Sequence, residues 1–267
     1  MNSVPIFSEY VQKARLLAVE AGIEIMKFYS NNIVYREKPD KSPLTDADEA
    51  SDHIITTGLK KYFPKIPVIS EESTDTNPKN SLVNIDSGLF WLVDPLDGTK
   101  EFIKKNGEFT VNIGLIRNRS PFIGVMYLPE KHICYVGENG LGAASWSDTG
   151  EINQIKARTI PISGPVVLAS RSHINEKTKV WIKGIKPNNI IKSGSALKFS
   201  LLASGKADIY PRFSPTMEWD TAAGHAILEA AGGSISQTNK KPLLYGKPGY
   251  LNPSFIAKGA NFGKEST

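Results

Sequence analysis

The sequence predicts a layered α/β protein, and three patterns in its 267 residues carry that prediction. Near the N-terminus apolar residues recur at spacings of three and four, the helical period. Between residues 89 and 136 apolar runs follow one another through short turns, the pattern of neighbouring antiparallel strands. From Gly164 onward strand-like runs alternate with helical ones. A soft boundary near 160 therefore divides an N-terminal α+β portion, 1–160, from a C-terminal α/β portion, 161–267.

Taken in order, Val11, Ala14, Ala18, Ala21, Ile25 and Phe28 predict an amphipathic helix begun near Ser8. Its outer face mixes Lys13 and Lys27 with Glu20 and Glu24, which suits core scaffolding better than a membrane-surface helix. A polar loop, 36–42, precedes Thr45, which with Asp48 has the spacing of a capping box. Ile54, Ile55, Leu59 and Tyr62 continue that second helix up to Phe63-Pro64. Residues 67–70 read as a short strand ending at Glu71-Glu72, and 73–86 as a polar, turn-rich loop. A buried strand over 89–93 ends at Asp94 and Asp97, and a helix follows. Strands over 109–116, 122–127 and 132–136 come next, with turns at 138–142 and 148–150 extending their sheet.

In the C-terminal portion, strands are expected over 166–169, 190–192 and 208–210, with helices after Asn175 and after Ser193-Gly194-Ser195. A last helix runs over 221–231, with Asp220 as its N-cap and Gly232-Gly233 as its stop. Its small residues Ala222, Ala223, Gly224 and Ala226 permit close packing, and a strand over 254–257 closes the fold.

Composition removes several classes of function. No apolar run approaches the roughly 20 residues that span a bilayer, and the N-terminus lacks a signal-peptide layout, so the expected location is the cytoplasm. The single cysteine, Cys134, excludes an intramolecular disulfide, and between Ile133 and Tyr135 it reads as a strand-core residue. The net charge of +5 comes from scattered lysines with no dense basic run, so a nucleic-acid polymer is not an expected partner. A mild positive field does suit a small polyanionic substrate.

The chemistry gathers at Asp94-Pro95-Leu96-Asp97-Gly98-Thr99. Taken alone, these residues fit an ordinary strand-ending turn with Asp97 as a helix N-cap. They also fit a bend that folds two carboxylates and a backbone carbonyl, that of Leu96, toward one hard cation. Asp48, Glu71 and Asp220 also stand at junctions between elements. Carboxylates brought to one point repel, and a divalent cation is their natural partner. With no histidine or cysteine placed among them, Mg²⁺ fits better than zinc. An EF-hand is excluded, because counting from Asp46 the sixth residue is Ser51 and the twelfth is Thr57.

The Asp94 to Thr99 segment, the Glu71-Glu72 pair and Trp219-Asp220-Thr221-Ala222-Ala223-Gly224 together resemble the Mg²⁺-dependent, lithium-sensitive phosphatases typified by inositol monophosphatase. Longer strings resemble the bisphosphate nucleotidase branch of that superfamily: Lys100-Glu101-Phe102, Asn106-Gly107-Glu108-Phe109-Thr110, Ser170-Arg171-Ser172-His173 and Gly194-Ser195-Ala196-Leu197-Lys198-Phe199. The resemblance implies an αβαβα sandwich forming one catalytic unit. It also implies removal of the 3′-phosphate of adenosine 3′,5′-bisphosphate, with the sulfated nucleotide as a second substrate.

Carried over by position, the resemblance makes Glu71, Asp94, the Leu96 carbonyl, Asp97 and Asp220 ligands of two or three Mg²⁺ ions. Thr99, with Glu71 and Asp48, would activate the attacking water, and Asp46 stands near Asp48 as a rival for that acid's place. Gly98, Thr99, His173, Ser195, Lys198, Arg212 and Asp220 would meet the substrate. Related bacterial proteins add the expectation of peripheral attachment to the inner face of the membrane; oligomeric state is not implied. An inositol monophosphatase or other small phosphomonoesterase is the neighbouring alternative, and a non-catalytic phospho-ligand sensor is an alternative of another class.

Overall fold

The computed structural model describes residues 5–31, 33–38, 42–74, 88–172 and 174–260. Their backbone forms six helices: α1 (Glu9–Tyr29), α2 (Asp46–Tyr62), α3 (Thr99–Ile103), α4 (Glu176–Gly184), α5 (Leu197–Ala203) and α6 (Trp219–Ala230). A two-stranded hairpin pairs β1 (Tyr35–Glu37) with β2 (Pro43–Thr45). The first large sheet takes β3 (Val68–Ser70), β4 (Leu89–Asp97), β5 (Thr110–Arg117), β6 (Ser120–Leu128), β7 (Ile133–Glu138), β8 (Gly142–Ser147) and β9 (Ile152–Ile155) in sequence order. Only β3 and β4 run parallel in it; β4 reaches β5 through α3, short connections join β5 to β9, and all of these pair antiparallel. The second sheet contains β10 (Val166–Ser170), β11 (Asn189–Ser193), β12 (Ile209–Arg212), β13 (Ser234–Gln237) and β14 (Phe255–Lys258), in the order β11-β10-β12-β14-β13.

The helices bury their apolar stripes in layers. Val11, Ala18 and Ile25 of α1 and Ile55 and Leu59 of α2 pack on one face of the seven-stranded sheet, against Trp91, Val93, Val111 and Ile113. Helices α5 and α6 lie between the two sheets, where Phe199, Leu202, Ile227 and Leu228 meet Met126 on one side and Leu168, Tyr210 and Ala257 on the other. Ile182 of α4 covers the outer face of the five-stranded sheet with Val167, Ala169 and Ile209. The order helix, sheet, helix, sheet, helix is the expected αβαβα sandwich. Among the described residues no helix is long and apolar enough to cross a membrane.

One interface in this stack is unusually close. Gly114 of β5 stands in register with Gly124 of β6, and Gly124 with Gly137 of β7, so three glycines line up across the sheet. A Cβ on Gly124 would sit 2.1 Å from the Ala223 carbonyl oxygen, and one on Gly137 would sit 2.6 Å from the Ile227 Cα. Helix α6 therefore rests almost directly on the sheet's main chain, its small residues meeting the bare backbone.

Several local expectations change. The region 36–42 is no simple loop, since β1 and β2 flank it. Helix α6 starts two residues earlier than expected: Glu218 is its N-cap and Asp220 sits inside the first turn. The buried Glu218 carboxylate accepts the N–H groups of Gly246 (2.6 Å) and Lys247 (2.9 Å), which anchors this earlier start. Gly98, not Asp97, precedes α3, and Ala196, not Ser195, precedes α5. Strand β13 has no counterpart among the expected elements, and residues 75–87 of the expected loop lie outside the described residues.

Candidate active site

Strand β4 carries the centre of the site. Asp94 pairs across the ladder with Asn112, yet Asp97 pairs with Thr110, so β4 holds an extra residue between them. Pro95 has no N–H to give the ladder, and the resulting bulge re-aims the strand's last residues. Within it Leu96 N–H donates to Asp94 Oδ1 at 3.2 Å, and Ser51 Oγ donates to the Pro95 carbonyl at 2.7 Å. Gly98 then takes φ +93°, where a Cβ would lie 3.0 Å from the Glu108 carbonyl oxygen. Glycine is the residue such a turn requires.

The bend brings the sequence-predicted acids together. Carboxylate oxygens of Glu71 (end of β3), Asp94 (β4) and Asp220 (first turn of α6) lie within 4.8 Å of one another. Burial first, then the charges of Glu71, Asp97 and Asp220, push the Asp94 carboxyl well above its ordinary range. Asp220 is raised well up by burial and then by Asp97 and Glu71, and it accepts the Met217 N–H at 2.9 Å. This donor set is all hard oxygen, so it fits Mg²⁺ and offers nothing to a soft metal.

Asp97 stands beside this trio. Its Oδ2 accepts the Ser195 hydroxyl at 2.9 Å and the Ala196 N–H, while burial raises its pKa against the pull of Lys198. Ser195 has a left-handed φ of +51° and also hydrogen-bonds Thr110 Oγ1 at 2.8 Å. Lys198 is almost wholly buried and donates to the carbonyls of Ser193 (3.3 Å) and Ser195. Burial lowers its pKa to about 8, with Arg212 helping and Asp97 opposing.

Thr99 opens α3. Its single hydroxyl proton is shared between Asp48 Oδ1 (3.1 Å) and the Leu96 carbonyl (3.2 Å). Asp48 is buried in the first turn of α2, where its Oδ2 accepts both the N–H (2.7 Å) and the hydroxyl (2.5 Å) of Thr45. Burial raises its pKa to about 6 although those hydrogen bonds oppose it. Asp46 instead points outward to Arg36 at 3.3 Å, with its side chain 72% exposed.

Lys38, which no sequence pattern singles out, donates to Glu71 (2.8 Å) and Glu72 (2.7 Å). Burial works against its proton, but the two carboxylates outweigh it and hold the ammonium charged. Glu72 is raised to about 7 by burial and then by Glu71. Also unforeseen are Glu108, which takes both a bidentate pair from Arg171 and the Gly194 N–H, and the buried amide of Asn112, which has no partner. Glu108 and Arg171 do fall inside the longer strings of the resemblance, whereas nothing around Lys38 or Asn112 marks them.

Asp97, Gly98, Thr99, Glu71, Ser195, Lys198, Arg212 and Asp220 all line one cavity of about 330 Å³. Arg212 donates to the Pro215 carbonyl at 3.2 Å and keeps a buried, unpartnered Nε. His173 lies outside the described residues.

The chain has counterparts among known proteins. The model of the inositol monophosphatase family matches residues 8–263. The 3′(2′),5′-bisphosphate nucleotidase CysQ of Buchnera aphidicola subsp. Acyrthosiphon pisum is 42% identical over 259 residues, covering 94% of this chain and 94% of that protein. The protein of the same name from Escherichia coli K12 is 42% identical over 243 residues, covering 90% and 95%. Among solved structures, CysQ from Bacteroides thetaiotaomicron matches with a TM-score of 0.81 at 38% identity, over 96% of this chain and 99% of that one. An inositol monophosphatase from Anabaena (Nostoc) sp. PCC 7120 matches with a TM-score of 0.74 at 26% identity, over 94% and 90%.

Proposed function

The chain belongs to the inositol monophosphatase family, and from that premise we propose that it is a Mg²⁺-dependent 3′(2′),5′-bisphosphate nucleotidase. It removes the 3′-phosphate of adenosine 3′,5′-bisphosphate, leaving AMP and phosphate, and accepts the sulfated nucleotide as a second substrate. The observation that carries this reading is the clustering of Glu71, Asp94 and Asp220 at a cavity lined by Glu71, Asp97 and Asp220 together with Lys198 and Arg212. Anionic ligands for cations and cationic contacts for a second phosphate stand in one pocket. The portions 1–160 and 161–267 act as one catalytic unit, because α6 brings Asp220 onto the sheet that holds Asp94.

Glu71, Asp94, the Leu96 carbonyl, Asp97 and Asp220 would hold two or three Mg²⁺ ions, which when bound would supply Lewis acidity and a water of lowered pKa. Thr99 positions that water: its Oγ accepts the water's proton while its own proton passes to Asp48 Oδ1, 3.1 Å away. A carboxyl with a pKa of about 6 suits an acceptor working near neutral pH. Glu71 assists from the same end of the neighbouring parallel strand β3, and the backbone N–H groups of Gly98 and Thr99 meet the phosphoryl oxygens. Arg212 and Lys198, which line the same cavity, receive the second phosphate through their charges. Ser195 holds Asp97 in place while facing the same cavity.

Phosphate release from a substrate panel tests the reading. With Mg²⁺ present, kcat/KM is expected to be highest for adenosine 3′,5′-bisphosphate; a higher value for inositol 1-phosphate would replace the substrate, and no turnover of either would leave only a ligand sensor. Asp97→Asn is expected to lose more activity than the roughly 10–100-fold typical of an outer-sphere substitution, while circular dichroism stays unchanged.

A further inference from the structure

We infer that Asn112 is a positioning residue of the cation site, its amide binding the hydration shell of the ion held by Asp94 and Asp220. The inference rests on the cation reading and adds to it a residue that supplies no direct ligand. Asn112 is 1% exposed on β5, and neither its Nδ2 nor its Oδ1 has a partner among the described residues. A buried amide with both ends unmet is costly, so its retention calls for a partner of another kind.

Its placement says which kind. Asn112 is directly opposite Asp94 in the antiparallel pair. Opposed residues put their side chains on the same face, with Cβ atoms about 5 Å apart. That face is the one covered by α6, since Gly114, two residues along the strand, would place a Cβ 2.8 Å from Ala222. The amide is therefore enclosed between the sheet and the start of α6, next to a carboxylate within 4.8 Å of that of Asp220. Trp91 Nε1 is also buried without a partner, but its ring packs in the opposite core, beneath α1 and α2, away from the acids.

An amide offers one donor group and one acceptor; a metal-bound water, its oxygen committed to the cation, is a strong donor, so Oδ1 of Asn112 is the atom that accepts from it. Mg²⁺ keeps several waters when bound by carboxylates, and residues that hold such waters tune affinity about 10–100-fold. Asn112 therefore belongs to the loaded state: it contributes little to the metal-free fold and much to cation affinity.

Calorimetric titration with Mg²⁺, alongside thermal denaturation in EDTA, tests this on the wild type, Asn112→Leu and Asn112→Ser. The expected result is a metal-free Tm unchanged or higher in Asn112→Leu, with Mg²⁺ affinity about 10–100-fold weaker. Asn112→Ser, which keeps a short hydroxyl, should fall between the two and carries the same comparison should the leucine variant not fold. Unchanged Mg²⁺ affinity in a folded variant overturns the inference. So does a Tm loss of equal size with and without Mg²⁺, which would mark a structural amide only. Absence of Mg²⁺ binding by the wild type would instead remove the cation reading itself.

Discussion

Thr99 shows how much chemistry one hydroxyl can concentrate. It closes the bulge through the Leu96 carbonyl and reaches Asp48 on another helix with the same proton. In the proposed mechanism, removing it leaves the acids in place but severs the path from water to Asp48. Thr99→Ala should therefore lower kcat by about 10²–10⁴, the usual worth of general base catalysis, with KM little changed. Thr99→Ser should recover most of the loss; steady-state kinetics on the bisphosphate nucleotide measures both, and an unaffected kcat would remove Thr99 from the mechanism. Such residues are legible because they sit in one short string of unusual composition. Lys38 is not, because an ammonium in a polar loop looks solvated until the fold lays it over Glu71 and Glu72.

At the scale of elements, the controlling contact is that between α6 and the glycines of β5, β6 and β7. Gly124→Ala forces its Cβ against the Ala223 carbonyl, so helix and sheet must separate. The expected cost is about 1–3 kcal/mol of stability, together with weaker Mg²⁺ binding, because α6 carries Asp220. Urea denaturation and calorimetry report the two effects. By contrast Gly184→Ala, at the end of α4 with nothing within 4 Å of the added methyl, should be neutral or slightly stabilising. Half of this contact is readable in the sequence: Ala222, Ala223, Gly224 and Ala226 mark a helix face built for close approach. The other half is not, since Gly114, Gly124 and Gly137 are far apart in the chain and only strand register aligns them. The β1–β2 hairpin escapes notice for a similar reason, as three-residue strands, one of them fully exposed, leave no periodic trace.

For the molecule as a whole, the acids make metal and proton alternatives. Burial lifts Asp48 to about 6 and Glu72 to about 7, and burial together with acidic neighbours holds Asp94 and Asp220 well above their ordinary range. In the unfolded chain these groups release their protons near pH 4. Between pH 4 and about 7 the folded, metal-free protein therefore holds more protons than the unfolded one, and stability falls as pH rises through that window. Each tenfold difference in proton affinity is worth about 1.4 kcal/mol. The Tm in EDTA is thus expected to climb as pH drops from 8 to 5.5, and saturating Mg²⁺ to raise the pH 8 value and flatten the slope. Denaturation scans across that range check both; a metal-free Tm that falls on mild acidification would contradict this ordering of charges.

The seating of α6 on bare main chain also bears on which cations can enter. Where side chains separate a helix from a sheet, a rotamer change can yield some tenths of an ångström. Here the helix backbone and its Cβ atoms meet bare main chain, so the backbones of the sheet and of the helix that carries Asp220 have no intervening rotamers to yield. Mg²⁺ wants its oxygens at about 2.0–2.1 Å and Ca²⁺ at about 2.3–2.6 Å. Fitting a larger ion by moving helix from sheet would part a whole layer, so adjustment to ion size would fall to the side-chain torsions of Asp94 and Asp220 themselves.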